Sequence, residues 1–378
     1  MINQTEQTLY RLSNLNAEQT RISYQMSTGK KLDNGSEDAS LYAREIFVDD
    51  RLRAYEGIQT QIEKTTVQNN ISDSSIGEMK ALFETTMTEL IKANTSTTSD
   101  EGKKAIALNL AGIKENLLDL ANTQIEGEYL FAGSDSSVMP FSKDSEGKVS
   151  YEGNNTPRKI SVDDGSYRER GVNGYDIMTY PSSTAYSGET LSFSEEDTII
   201  DQDGSIWKLN AAKTEIEKYK ADGESLDTSA TAKGVILVDD TYEVSVGTED
   251  GTKFEARSNI FDLIDDLVNT LNKVDSDGNP ISDATRDELL SEDQGKFSAS
   301  YDAINVAHSE LGSRNKMFEI SLERVTSKIT QYTILSQEIG AVDLAELAIE
   351  SKALELTYTS LYSTIQRTNE LSLTNFLN

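Results

Sequence analysis

Cysteine is absent from the 378 residues, so disulfides, thiol nucleophiles and thiolate metal sites are excluded together. The one histidine, His308, leaves no imidazole pair for a metal. A catalytic histidine needs a nucleophile and an orienting acid around it. Ala307-His308-Ser309 lies in a helical pattern without a nucleophile-elbow signal and reads as a surface or packing residue. Basic charge is scarce: 35 Lys+Arg against 65 Asp+Glu leaves −30. That balance repels phosphate backbones and anionic lipid heads, so neither nucleic acid nor membrane is an expected partner. No apolar run approaches the ~20 residues of a membrane helix. The start, MINQTEQTLY, has neither a basic n-region nor an apolar h-region, so no cleavable signal peptide is expected.

The acidic turns do not make metal loops. Asp275-Ser276-Asp277-Gly278-Asn279 opens like a calcium loop but places Pro280 where glycine belongs and Arg286 where a bidentate carboxylate belongs. Asp201-Gln202-Asp203-Gly204 brings its glycine in two positions early. No catalytic, cofactor-binding or metal-binding residue stands out, and no cofactor is expected.

Proline is rare and confined. Pro140, Pro157, Pro181 and Pro280 lie in the middle third or just beyond it. Proline costs ~3 kcal/mol in a helix interior, so residues 1–139 and 281–378 are free to form long helices and the middle is not. The flanks indeed carry a seven-residue period. Steps of three and four from Tyr55 meet Ile58, Ile62, Thr65, Asn69, Ser72, Ile76, Met79, Phe83, Thr86 and Leu90, the seam of one helix ~50 Å long. Its polar centre predicts packing that is weak there or that selects register. Ile106, Leu110, Ile113, Leu117 and Leu120 make a second seam, with Thr98 and Glu101 at capping-box spacing. Phe318, Leu322, Val325, Ile329, Tyr332, Ser336 and Ile339 make a third. Gly340 breaks the phase, Asp343 with Glu346 can cap a new helix, and Leu344, Leu347, Ser351, Leu354, Tyr358, Leu361 and Ile365 follow. Leu12, Leu15, Ile22 and Met26 form a weaker seam before a break at Gly29 to Gly35.

Each end thus carries a helix separated by a breaker from a longer one, and the symmetry predicts that the two ends pair. Between them, Lys148-Val149-Ser150-Tyr151 and Tyr242-Glu243-Val244-Ser245-Val246 alternate between turn signals such as Asp164-Gly165 and Asp203-Gly204, the pattern of small antiparallel sheets. The predicted fold class is α+β: a long, coiled-coil-like helical bundle formed by paired N- and C-terminal segments, with a β-rich domain inserted in the middle. The expected parts are terminal assembly helices at 1–40 and 340–378, a helical bundle at 41–139 and 256–339, and a β-rich outer domain at 140–255. The aromatics of the insert, Trp207, Tyr175, Tyr180 and Tyr186, are expected to form its small core. A two-in-seven stripe buries too little to hold a lone helix, so the terminal segments are expected to order on assembly. The expected partner interface is Leu12, Leu15, Ile22 and Met26 with Leu354, Tyr358, Leu361 and Ile365, extended by an apolar tip of Leu371, Leu373, Phe376 and Leu377.

Several segments resemble one family. Ile22-Ser23-Tyr24-Gln25-Met26-Ser27-Thr28-Gly29-Lys30-Lys31-Leu32 is similar to the N-terminal helix and turn of bacterial flagellins and their relatives, and Asp343 to Glu346, Tyr358 to Ile365 and Leu371 to Leu377 resemble their C-terminal helix. Glu128-Tyr129-Leu130-Phe131-Ala132-Gly133-Ser134 with Pro140-Phe141, and Val149-Ser150-Tyr151-Glu152-Gly153-Asn154, narrow the likeness to the hook–filament junction members. Glu310-Leu311-Gly312-Ser313-Arg314-Asn315 looks like a glycine-arginine turn before the family's long C-terminal helix. Ser36-Glu37-Asp38-Ala39 departs from the family's Ser-Asp-Asp-Pro turn.

The resemblance implies a non-enzymatic structural adaptor, exported by the flagellar type III apparatus to the outside of a bacterium. It implies a ring of copies at the hook–filament junction, with hook-associated protein 1 on one side and flagellin on the other, and an export chaperone as an earlier partner. The alternatives are a filament subunit like flagellin itself, or a secreted adhesin whose β insert binds a ligand.

Overall fold

The structure, a computed structural model, describes residues 2–145, 147–220, 225–238, 241–249, 251–276 and 278–377, with the side chains of 2–5, 368, 369 and 371–377 outside that set. The helices are α1 (Ile2–Thr28), α2 (Ala39–Ala93), α3 (Asp100–Ala121), the short α4 (Gly174–Met178), α5 (Ile260–Leu271), α6 (Asp283–Gly340) and α7 (Leu344–Leu377). They form two compact units, Met1–Gln59 with Glu323–Asn378, and Thr60–Leu322. The helix starts are chemically marked. Asp38 Oδ1 accepts from the amides of Ser40 and Leu41 at 3.0 and 2.9 Å, opening α2 without the family's proline. α3 is capped by Ser99, whose hydroxyl accepts from Gly102 N at 3.2 Å, one residue after the expected Thr98.

In the Thr60–Leu322 unit the core joins Ile76, Met79, Phe83 and Leu90 of α2 to Ile106, Leu110, Ile113 and Leu117 of α3, Phe261, Ile264 and Leu267 of α5, and Phe297, Ile304 and Leu311 of α6. The seven-residue seams therefore lie where their period predicted. The polar centre of the α2 seam is not a weak stretch: Thr65, Asn69 and Ser72 are fully buried. Beside them Gln68 Nε2 donates to Glu128 Oε2 at 2.9 Å, and Arg158 and Arg170 reach the same oxygen at 3.1 and 3.4 Å. Thr65 and Ser72 satisfy their hydroxyls on the carbonyls of Gln61 and Gln68 at 2.8 and 3.1 Å, and Gln68 ties this stretch to the ionic cluster. The glycine-arginine turn expected at Glu310–Asn315 is not a turn; it lies inside α6. One glycine costs only about 1 kcal/mol in a helix, and here Leu311 is buried while Arg314 bonds Glu169 at 2.9 Å and also reaches the carbonyl of Gly171.

Three hairpins follow α3: β1 (Gln124–Ile125) with β2 (Glu128–Tyr129), β3 (Phe141–Lys143) with β4 (Val149–Tyr151), and β5 (Arg158–Asp163) with β6 (Ser166–Arg170). The segments around Phe131 and Tyr151 lock onto each other. Asn154 N donates to Ala132 O at 3.2 Å, Tyr151 Oη to Phe131 O at 3.2 Å, Gly174 N to Phe131 O at 2.7 Å and Glu152 N to Pro140 O at 2.8 Å. Phe141, Val149, Ile177 and Tyr180 belong to the helical core.

The remaining strands are β7 (Thr179–Tyr186), β8 (Thr190–Phe193), β9 (Thr198–Asp201), β10 (Ile206–Leu209), β11 (Glu215–Tyr219), β12 (Lys233–Gly234), β13 (Ile236–Val238), β14 (Thr241–Ser245) and β15 (Lys253–Asn259). They form a six-stranded sheet in the order β12-β11-β10-β9-β15-β7 and a three-stranded sheet β13-β14-β8. These enclose a separate core of Leu191, Phe193, Ile199, Trp207, Ile216, Val244 and Phe254. Of the aromatics expected in a small core, Trp207 is in this one, Tyr180 is in the helical one, Tyr175 is buried, and Tyr186 is exposed. The Asp201 carboxylate accepts from Trp207 Nε1 at 2.9 Å, Lys218 Nζ at 3.0 Å and the amides of Asp203 and Ser205. That turn uses its acid for protein hydrogen bonds.

The helical core also carries an electrostatic load. Burial lifts Asp262 of α5 to about 7, reinforced by Glu196 and Asp265 and opposed by Lys148 and Lys114. Burial, with Asp293, lifts Asp266 to about 6 against Lys296. Both groups hold their proton more tightly folded than unfolded. Their contribution is therefore fully present below about pH 4 and is lost as the pH rises through 6 to 7. Asp262→Asn is expected to stabilise the chain at pH 8 by on the order of 2 kcal/mol, less than the whole shift converts to because the site is partly open to solvent. At pH 4 the substitution should be near neutral. Thermal midpoints of the variant and parent at the two pH values check this; an equal gain at both would sink it.

Candidate assembly surface

The unit built from Met1–Gln59 and Glu323–Asn378 brings the two chain ends together, as the symmetry of their seams predicted. The two breakers form a clasp. α1 ends at Gly29 (φ 69°), Lys31 N donates to Gly340 O at 2.7 Å, Val342 N donates to Gly29 O at 3.0 Å, and Lys30 and Ala341 form an antiparallel bridge. The buried Gln25 side chain closes the clasp from within, donating to Lys31 O at 2.6 Å. A Cβ on Gly340 would stand 3.3 Å from Glu45 Oε1, the same oxygen that meets Lys30 Nζ at 3.3 Å. Asp343 then restarts the chain as a helix, accepting from the amides of Ala345 and Glu346 at 2.8 and 3.2 Å. Beyond the clasp, Tyr55 of α2 stacks on Tyr332 of α6 with centroids 5.6 Å apart, Lys328 donates to the Tyr55 hydroxyl at 3.1 Å, and Ser336 donates to Asp49 at 3.0 Å.

α1 and α7 run antiparallel. Arg21 meets Glu350 at 3.0 Å and the Tyr358 hydroxyl meets Asn16 Oδ1 at 2.5 Å. Ile22 is buried, Leu12 and Leu15 are half-buried, and on α7 Leu354, Tyr358, Leu361 and Ile365 are half-buried along one face. These seven residues thus form the seam by which the chain's own ends pair; the segments expected to order on assembly are already helices joined through it. Met26 is not on this seam and is 53% exposed. The side chains of Leu371, Leu373, Phe376 and Leu377 lie outside the described residues.

A second set of apolar residues faces solvent. Leu9 and Tyr10 of α1, Phe47 of α2, and Leu344, Ile349, Leu356 and Tyr362 of α7 are all exposed, with Ile349 at 72% and Leu356 at 64%. The seven-residue reading of α7 kept only its strongest stripe and passed over Ile349 and Leu356. Their signal is in the sequence: they stand seven apart, off the seam, so α7 is apolar on two sides. A helix with two apolar sides needs two partners. One is α1; the side that carries Ile349 and Leu356 is exposed to solvent.

Elsewhere among the described residues there is no comparable chemical site. His308 bonds Asp73 at 2.9 Å on α6, no group of His, Asp and Glu side chains could hold a metal, and no helix is long and apolar enough to cross a membrane.

Residues 2–136 match the bacterial flagellin N-terminal helical region. Flagellar hook-associated protein 3 of Salmonella typhimurium is 27% identical over 249 residues, 65% of this chain and 77% of that protein. Its namesake from Escherichia coli is 28% identical over 222 residues, 58% of this chain and 68% of that protein. Among solved structures, hook-associated protein 3 of Legionella pneumophila superimposes with a TM-score of 0.53 at 17% identity, covering 78% of this chain and 98% of its own. FlgL of Xanthomonas campestris gives 0.51 at 18% identity, covering 76% and 99%. The last two likenesses are of fold. A chain whose residues 2–136 match the flagellin N-terminal helical region, whose two ends clasp together and which aligns along most of the length of hook-associated protein 3 is similar to that protein.

Proposed function

We propose that this chain is a structural, non-enzymatic adaptor of the bacterial flagellum, joining hook-associated protein 1 at the hook tip to the flagellin filament as a ring of copies outside the cell. The observation that carries the reading is the exposed pair Ile349 and Leu356, seven residues apart on the side of α7 opposite its half-buried seam. A face of that kind on a chain of net charge −30 needs an apolar protein partner and excludes a polyanionic one. In the cytoplasm the partner is an export chaperone; in the axis it is a neighbouring subunit. Tagged chain should label one short band at the filament base. Label along the whole filament would mean a filament subunit instead, and cells deleted for the chain that still carry attached filaments would sink the junction role.

The outer part of this adaptor is dispensable for folding in this reading. β7 and β15 are paired so that Ser183 lies opposite Ala256, and the strands between them carry their own core. Joining Ser183 to Ala256 by a short Gly/Ser turn is expected to leave helical content and filament attachment near the parent's. Replacing 143–253 instead removes Val149, Ile177 and Tyr180 from the helical core and is expected to lower the melting point by many degrees. Equal melting of the two deletions would refute this boundary.

A further inference from the structure

Between the hairpin of β5 and β6 and the middle of α6, a groove of about 500 Å³ opens within the Thr60–Leu322 unit. Arg314 ties its two walls together, bonding Glu169 of β6 at 2.9 Å and also reaching the carbonyl of Gly171. That pair uses the one carboxylate among the described lining residues. The other charges of the lining are cations. Lys159 is exposed and makes no ion pair among the described residues, and Arg168 bonds only the carbonyl of Tyr167, at 2.9 Å. Tyr167 and Met317 add apolar surface at 58% and 41% exposure. The groove is therefore basic and apolar on a chain of net charge −30, and Tyr, Met and Arg are types that protein interfaces favour.

The outer side of α3 has the complementary character. From Glu101, steps of four and three meet Ala105, Leu108, Gly112 and Glu115, all exposed. Ile106, Leu110, Ile113 and Leu117 fix the other side in the helical core, so this one is held outward. Leu108, at 76%, is the most exposed large apolar side chain among the described residues. Ala105 and Gly112 flank it one turn away and leave it standing as a knob that a partner surface can close around. Glu101 and Glu115 stand two turns from it on either side, about 10 Å along the axis. Glu101 makes no ion pair among the described residues, and Glu115 meets the exposed Lys143.

One surface is an apolar knob between carboxylates; the other is an apolar groove with two uncommitted cations. We infer that α3 of one copy docks into the β5–β6/α6 groove of the next, with Leu108 against Tyr167 and Met317 and a carboxylate two turns away over Lys159 and Arg168. The two surfaces differ, so each copy presents one and receives the other. A head-to-tail contact of that kind closes into a ring or runs on as a helix. Exposed ion pairs are individually weak, so Leu108 supplies affinity and the charges select partner and register. The inference rests on the reading of the chain as a ring of copies and names the contact between neighbours in it, apart from the exposed side of α7.

The chain has no cysteine, so a pair can be introduced without background. Full-length chain carrying Leu108→Cys with Met317→Cys, oxidised in assembled flagella, is expected to give a ladder of covalent dimers, trimers and higher multiples. Either substitution alone should give none. Both side chains are exposed, so the reduced double variant should melt with the parent. Adding Lys159→Glu and Arg168→Glu should cut the ladder about tenfold, and Glu101→Lys with Glu115→Lys in the same chain should restore it. A photo-reactive benzoylphenylalanine placed at Tyr167 should trap a second copy through an α3 peptide. A dimer from one cysteine alone, a ladder indifferent to the charge changes, or a photo-adduct with flagellin or hook-associated protein 1 overturns the inference. A tagged band at the filament base without any ladder sinks this contact and leaves the junction reading intact. A ladder without the band sinks the junction reading and leaves the contact.

Discussion

Cells carrying Ile349→Asp or Leu356→Asp in this chain are expected to build hooks and shed flagellin into the medium, while the purified variants melt with the parent. Both side chains stand largely in solvent, so a charge there changes the folded chain by no more than about 0.5 kcal/mol. In an assembled axis each would be buried against a neighbour, contributing ~1.5–3 kcal/mol per residue. Aspartate forfeits that and adds the cost of burying an unpaired charge. In the proposed ring the loss would repeat at every copy. Leu361→Asp is the necessary contrast. Leu361 shares the half-buried face of Tyr358, which bonds Asn16 of α1, so a charge there should loosen the chain's own paired ends and lower the monomer's melting point. Filament counts by microscopy, flagellin in the medium and calorimetry on the purified chains decide. Attached filaments in both Ile349→Asp and Leu356→Asp would move the assembly face elsewhere; unaltered melting of Leu361→Asp would mean the α1–α7 seam contributes nothing to the monomer.

That contrast marks where sequence reasoning stopped. The seams of α2, α3 and α6 were legible because a strong period points to one face and that face is buried: Ile62, Met79, Leu110 and Val325 are all inaccessible. The pairing of the two ends was legible from their symmetry and from the breakers at Gly29 and Gly340, which hydrogen-bond across the clasp. What a period cannot say is whether a face meets the chain's own helix or another molecule, since burial looks the same from one strand of sequence. Hence the α7 seam read as a partner face, and Ile349 and Leu356 were passed over. At the polar centre of α2 the period left two readings open, weak packing or packing that selects register, and burial of Thr65, Asn69 and Ser72 removes the first. Beside it Gln68 meets the cluster of Glu128, Arg158 and Arg170, contributed from 60 or more residues further on, and no local window contains that cluster. Glu310 to Asn315 read as a turn on its resemblance to the family's glycine-arginine turn, whereas here buried Leu311 and the anchored Arg314 on either side of Gly312 lie within a continuous α6.

The largest loss of stability from a single methyl group is expected at Gly133. It lies at φ 77°, where an L-residue is strained, and a Cβ there would stand 2.0 Å from the carbonyl oxygen of Asn154 and 2.6 Å from its side-chain oxygen. Neither atom is free to retreat. Asn154 N is bonded to Ala132 O at 3.2 Å, Asn154 Oδ1 accepts from Ser134 N at 3.0 Å, and Asn154 O accepts from the Tyr151 hydroxyl at 3.0 Å. The methyl group must therefore push the two segments apart at the point where Phe131 and Phe141 enter the helical core. Gly127 is the control: its φ is 80° but a Cβ there meets nothing within 4 Å. Gly127→Ala should cost about 1–2 kcal/mol for the left-handed backbone alone. Gly133→Ala adds an overpacking term of about 1–3 kcal/mol, for a total of about 2–5 kcal/mol and a fall in melting point of roughly 5–15 °C. Urea titrations of the two variants measure the difference. If they unfold at the same midpoint, the close approach of Gly133 to Asn154 stabilises nothing, and the hairpin carrying Tyr151 is held by its side-chain packing alone.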